Sequence, residues 1–232
     1  MNKLYLDIID NCEKSPHSGR VEYKALRAVS SILFDNYSIQ LVLVNHLLPE
    51  LLEKTLHDDR NSDFNSRVII IPPSECALYE DNAFSPLIHK YVESGFCAIA
   101  IHYCYTQMNS ILTKTFGTFY NDEIHRFKDP VFKLELGFAS LLSRTRYTEL
   151  NKFRLDYDEL TLSVSPKYKK HVEPLVTVMD FPVVTVNACG DGYAFSFGFH
   201  SFEEPVVVEL FTSILLYINH RRRDAIIKEN AI

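Results

Sequence analysis

The chain has 232 residues, 47% hydrophobic and 23% charged, with a net charge of −6. That balance fits one globular domain over residues 1–232 that buries its core without staples, and it excludes a broad basic surface for nucleic acid or anionic membrane. Five cysteines without paired spacing read as small buried hydrophobes, Asp7 and Asp10 interrupt any leader-like apolar run, and no run approaches the ~20 residues of a membrane helix, so a cytoplasmic protein is expected.

Along the chain, Leu4, Tyr5, Ile8, Ile9 and Cys12 fall at helical spacing and predict a short amphipathic helix. A second helix is expected over 21–35, with Leu26, Val29, Ile32 and Leu33 facing inward. Residues 39–44 fit a strand or a helix equally well. Pro49 suits the first turn of a helix carrying Leu51, Leu52 and Leu56. Residues 67–71 read as a buried strand stopped by Pro72 and Pro73. Asp81 or Asn82 can cap a helix through Leu87, Ile88 and Tyr91 that ends at Gly95, and 96–103 forms a second buried strand. Residues 107–127 read as helical with a break near Gly117, 131–143 as helical in its later half, and 155–165 as a strand ended by Pro166.

From Pro174 the texture changes to three strand-like runs, 175–179, 183–187 and 193–200, followed by a helix over 206–228. Gly190 and Gly192 supply the positive φ that a hairpin turn requires. In the third run Tyr193, Phe195, Phe197 and Phe199 share one face, and Ala194, Ser196, Gly198 and His200 the other. The aromatic face is suited to a core, and the small-residue face leaves space beside His200. The whole reads as α+β: a mixed, largely antiparallel sheet with helices packed on one face, and the last helix docked through Val206, Leu210, Ile214 and Ile218.

Several chemistries lack their signatures. There is no Gly-x-Ser-x-Gly elbow, no dinucleotide-binding glycine motif and no Walker loop. His102 and Cys104 share a strand face near Cys97, but no second close pair completes a tetrahedral site, so no metal is expected.

The run Phe197-Gly198-Phe199-His200-Ser201-Phe202-Glu203-Glu204-Pro205, leading into an apolar helix, resembles the C-terminal part of the chloramphenicol acetyltransferase and dihydrolipoyl acyltransferase superfamily, whose strand ends in His-x-x-x-Asp-Gly. His200 matches the histidine. Glu204 stands where the family has aspartate and Pro205 where it has glycine, which makes the motif degenerate. The segment 159–165 resembles the family strand that supplies a hydroxyl to the oxyanion. The resemblance implies His200 as general base toward a hydroxyl, amine or thiol, with Thr161, Ser163 or Ser165 stabilising the tetrahedral oxyanion and Glu204 in a supporting role. It also implies acyl-coenzyme A as co-substrate, no tightly bound cofactor, and a homo-oligomer, a trimer in that family. The alternative is a non-catalytic interaction protein of similar fold, a bacterial or phage accessory, effector or inhibitor, with a protein partner; in that case His200 is an ordinary strand-end histidine and Glu203 and Glu204 cap the last helix.

Overall fold

The computed structural model describes residues 2–9, 19–58, 66–71, 83–101, 110–117, 120–126, 131–135, 152–154, 159–163, 172–199 and 204–229. In chain order these form β1 (Asn2–Ile9), α1 (Gly19–Tyr37), β2 (Ile39–His46), α2 (Pro49–Asp58), β3 (Ser66–Ile71), α3 (Phe84–Glu93), β4 (Cys97–Ile101), α4 (Ser110–Phe116), β5 (Tyr120–Arg126), β6 (Val131–Leu134), β7 (Lys152–Arg154), β8 (Glu159–Ser163), β9 (Val172–Val178), β10 (Phe181–Cys189), β11 (Gly192–Phe197) and α5 (Pro205–Glu229). Nine strands make one sheet in the order β2-β1-β3-β4-β11-β10-β9-β6-β7, and β5 and β8 pair separately.

The sheet is mixed and the chain α+β in the broad sense, but the antiparallel share is smaller than the sequence predicts. From β2 to β11 the neighbours run parallel. From β11 to β7 they run antiparallel. Helices also lie on both faces rather than one. Leu4, Leu6 and Ile8 of β1, Val68 and Ile70 of β3, and Ile99 and Ile101 of β4 join α1 and α5 in one core. Ile9, Ile69, Ile71, Ala98 and Ala100 join α2, α3 and α4 in a second core on the other face. The physical reason is the crossover: a parallel connection carries a helix across the sheet, and strands so covered are apolar at both even and odd positions.

This explains the first correction. Residues 2–9 are a central strand rather than a helix, because even positions enter one core while Ile9 enters the other. Residues 39–46 settle as strand β2, in parallel register with β1 from Asn2↔Ile39 to Ile9↔His46. The stretch expected to continue as helix beyond Gly117 instead turns into β5; Gly117 has φ 68°, and a side chain there would meet Val172 and Asn187.

The C-terminal reading stands as far as it is described. Phe195, Phe197 and Phe199 enter the first core, Tyr193 packs against it, and Ala194 faces the second. Leu210, Ile214 and Ile218 are buried, Val206 is half-buried, and Val207, Phe211 and Leu215 are buried as well. Thus α5 is enclosed on more of its circumference than a single stripe. Met179 and Asp180, both at positive φ, close the β9–β10 hairpin as a two-residue loop of the kind that matches strand twist.

Candidate functional site

Of the five residues singled out for acyl transfer, His200 and Ser165 lie outside the described residues. Thr161 and Ser163 are on β8, which pairs with β5 outside the nine-stranded sheet, opposite Ile124 and Tyr120. Glu204 precedes α5, and its carbonyl oxygen accepts the amides of Val207 and Val208, so it closes the first helical turn through its backbone. His102 and Cys104 also lie outside the described residues, while Cys97 is half-buried against the first core.

The structure assembles two polar clusters that the sequence did not announce. The first sits on the central strand. Asp7 is fully buried. Arg67 of β3 donates through Nη1 to both carboxylate oxygens, at 2.9 and 3.1 Å, and His46, the last residue of β2, donates through Nε2 to Oδ1 at 2.8 Å. The Arg67 guanidinium also lies 4.6 Å from the centre of the Tyr5 ring. Tyr5, Asp7 and Ile9 share one sheet face by period two, and the register places Arg67 beside Tyr5 and His46 beside Ile9. A carboxylate in such a place is tolerated only when paired, so Asp7 joins three adjacent strands. His46 is 2% exposed, which keeps substrate from its imidazole and makes the cluster a structural tie rather than a catalytic dyad.

The second cluster is where the β10–β11 hairpin meets the end of α3. The Asp191 amide donates to the Glu93 carbonyl at 3.0 Å. Gly190 has φ 59°, and a side chain there would strike the Glu93 backbone; Gly192 is not at positive φ, and its requirement is close approach to the Phe96 and Val92 carbonyls. Docking the hairpin brings Cys189 Sγ to 3.8 Å from His89 Nδ1. His89 and Glu93, one helical turn apart, approach to 3.3 Å between Nε2 and Oε1. His89 Nδ1 is also 2.9 Å from Thr115 Oγ1 of α4. Burial raises the Cys189 thiol above its ordinary value of 9.0, and the neighbouring Glu93 charge adds to the effect, so the group is a protonated thiol at neutral pH. The spacing His89-x-x-x-Glu93 was visible in sequence; its third member lies 100 residues from His89 and was not.

The sheet's two edges differ. At one end β7 is three residues long and carries Lys152 and Arg154. At the other, β2 runs for eight residues, IQLVLVNH, with no acidic or basic charge besides the buried His46, and no proline or glycine. Beside it Leu43, Leu47, Leu48 and Leu51 are exposed, as is Phe34 on the last turn of α1, with Leu48 at 56%.

No protein-family model matches the chain, and no curated protein matches it. Solved structures do share its fold. A cytoplasmic protein from Salmonella typhimurium LT2 is 11% identical with a TM-score of 0.54, over 94% of this chain and 99% of that one. A second Salmonella typhimurium cytoplasmic protein is 12% identical with a TM-score of 0.55, over 94% and 98%. The β-galactosidase of Bacillus circulans sp. alkalophilus is 9% identical with a TM-score of 0.55, over 94% of this chain but 31% of the enzyme. The same fold thus stands as a whole small chain and forms under a third of a larger one. Among the described residues no helix is long and apolar enough to cross a membrane.

Proposed function

We propose that this chain is a non-catalytic interaction domain that assembles with a second copy of itself through the edge of β2, the end strand of the sheet among the described residues. The observation that carries the reading is the eight-residue edge strand without protecting charge, bordered by Leu43, Leu47, Leu48 and Leu51. Sheet edges in proteins that stay apart are short, charged or interrupted by proline, as β7 is short and charged. A β2 edge of this kind matches itself: antiparallel pairing of β2 with its mate about a two-fold axis is isologous, joins leucine to leucine, and brings no like charges from the strand together in a chain whose net charge is −6. Support also comes from the occurrence of the fold both alone and within a larger chain.

Sedimentation equilibrium tests this reading. The expected result is a dimer in the micromolar range and a monomer for the double variant Leu47→Asp, Leu48→Asp, with Leu43→Lys weakening association. A monomeric wild type, or a dimer indifferent to these substitutions, would refute it.

A second reading is transfer of an acyl group from coenzyme A with His200 as general base, Thr161, Ser163 or Ser165 as oxyanion donor, Glu204 in support, and a trimeric assembly. The observation favouring it is that Phe195, Phe197 and Phe199, the aromatic face leading up to the motif, are buried in the core. Acetyl-coenzyme A should then raise the unfolding midpoint, by about 2.7 kcal/mol of stabilisation at a hundredfold excess over its dissociation constant. An unchanged midpoint at saturating ligand would remove this reading.

A further inference from the structure

We propose that His89, Glu93 and Cys189 form a zinc site at the junction of α3 with the β10–β11 hairpin, with a fourth position left for water. One ligand atom from each residue lies within 4.8 Å of the other two. Zinc with a nitrogen at ~2.0 Å and a thiolate at ~2.3 Å in tetrahedral geometry sets ligand atoms about 3.3–3.6 Å apart. The Nε2 to Oε1 separation of 3.3 Å already meets that spacing. Glu93, 55% exposed, has room to adjust. The Cys189 sulfur lies 3.8 Å from Nδ1, on the other nitrogen's side of the ring, so ligation through Nε2 requires the Cys189 side chain to move toward Glu93.

The hydrogen bonds around the imidazole identify the ligating nitrogen. The Thr115 hydroxyl gives its one proton to the Ile111 carbonyl, at 2.9 Å. Toward His89 it therefore accepts, and Nδ1 carries the ring proton. Nε2 is left with its lone pair 3.3 Å from a carboxylate oxygen, and a metal ion between them would join the two. A histidine held through one nitrogen by a neighbouring oxygen and offering the other is the usual form of a metal ligand. The set of one imidazole, one thiolate and one carboxylate is borderline in softness and suits zinc more than magnesium or calcium. Binding releases the Cys189 thiol proton to solvent, so affinity rises with pH, and the ion's positive charge offsets the Glu93 carboxylate that disfavours the thiolate. The site differs from the β2 edge in place and in chemistry, so its success or failure is read independently of association.

The test uses the full chain, stripped with chelator under reducing conditions, titrated with zinc against a chromophoric competitor and with cobalt for its thiolate charge-transfer band. One equivalent of zinc and a thiolate band are expected. Cys189→Ala and His89→Ala should lose the band and weaken zinc by at least about 100-fold, Thr115→Val by about 10–100-fold, and Cys97→Ala not at all. Should the Cys189 or His89 variants unfold, Glu93→Gln, at a half-exposed surface position, carries the same expected weakening in a folded chain. Failure to compete for zinc, or zinc and cobalt binding that persists unchanged in Cys189→Ala, His89→Ala or Glu93→Gln, would overturn the proposal.

Discussion

The parallel and antiparallel halves of the one sheet handle polar residues in opposite ways. In β3 and β4 successive residues enter opposite cores, so neither face is open to water. In β6 burial alternates: Phe132 and Leu134 are inside, Val131 and Lys133 outside. A charged side chain in the antiparallel half simply faces out, as Lys133 does with Glu135 at 3.0 Å. At the buried positions of the parallel half a charged side chain has no outside, and Asp7 is accommodated by the convergence of Arg67 and His46. The same contrast governs the edges, short and charged at β7, long and uncharged at β2. Among the described residues the buried Asp7 cluster and the uncharged edge strand both lie at the β2 end of the sheet.

The sharpest break of this comparison is Asp7→Ala. It leaves the Arg67 guanidinium buried without its carboxylate, and urea denaturation should show a loss of about 3–5 kcal/mol. Lys133→Ala, its counterpart in the antiparallel half, removes a largely exposed ion pair, and the same measurement should give a change below about 1 kcal/mol. Equal losses would erase the distinction.

Phe132 and Phe181 sharpen it within the antiparallel half. Phe132→Ala empties a buried ring site and should cost about 3–5 kcal/mol, while Phe181→Ala, at 42% exposure, should stay within about 1 kcal/mol of wild type. A smaller effect is expected where the halves join. Gly190→Ala places a side chain at positive φ against the Glu93 backbone, and thermal unfolding should report a loss of about 1–3 kcal/mol.

The smallest effect is the pH dependence of Cys189. Its folded value is raised, so the native state holds the proton more tightly than the unfolded chain does. The associated stability is complete below the ordinary value of 9.0 and is lost as pH rises through the folded value. Cys189→Ala should therefore show a shallower fall in urea midpoint than wild type as pH rises above the ordinary thiol value of 9.0. Parallel curves would contradict the assigned cause.

What was legible in the sequence follows the same division. Runs 67–71 and 96–103, with their punctuating residues, announced β3 and β4, and the alternation of 193–200 announced the burial of Phe195, Phe197 and Phe199. β1 was missed because Leu4, Tyr5, Ile8 and Ile9 also fit a helical face, and because Asp7 looks surface-facing until partners 39 and 60 residues away are in place. Nothing local indicates that β11 lies parallel to β4 with its hairpin partner on the far side, since that placement is fixed by packing of the two cores. The Cys189 corner was hidden for the same reason, being assembled from α3, α4 and a hairpin. The histidine on which the sequence reading centred, His200, lies outside the described residues, whereas the β2 edge follows from strand order, which no window of sequence contains.

Hydrogen exchange of residues 39–46 across a dilution series tests the central claim most directly. If β2 pairs with its mate, its outward amides are protected at high protein concentration and lose protection on dilution, while those of β1, β3 and β4 remain slow throughout. Exchange at β2 that is fast at every concentration would contradict the interaction reading, and protection that does not respond to dilution would mean that the edge is covered by the chain itself.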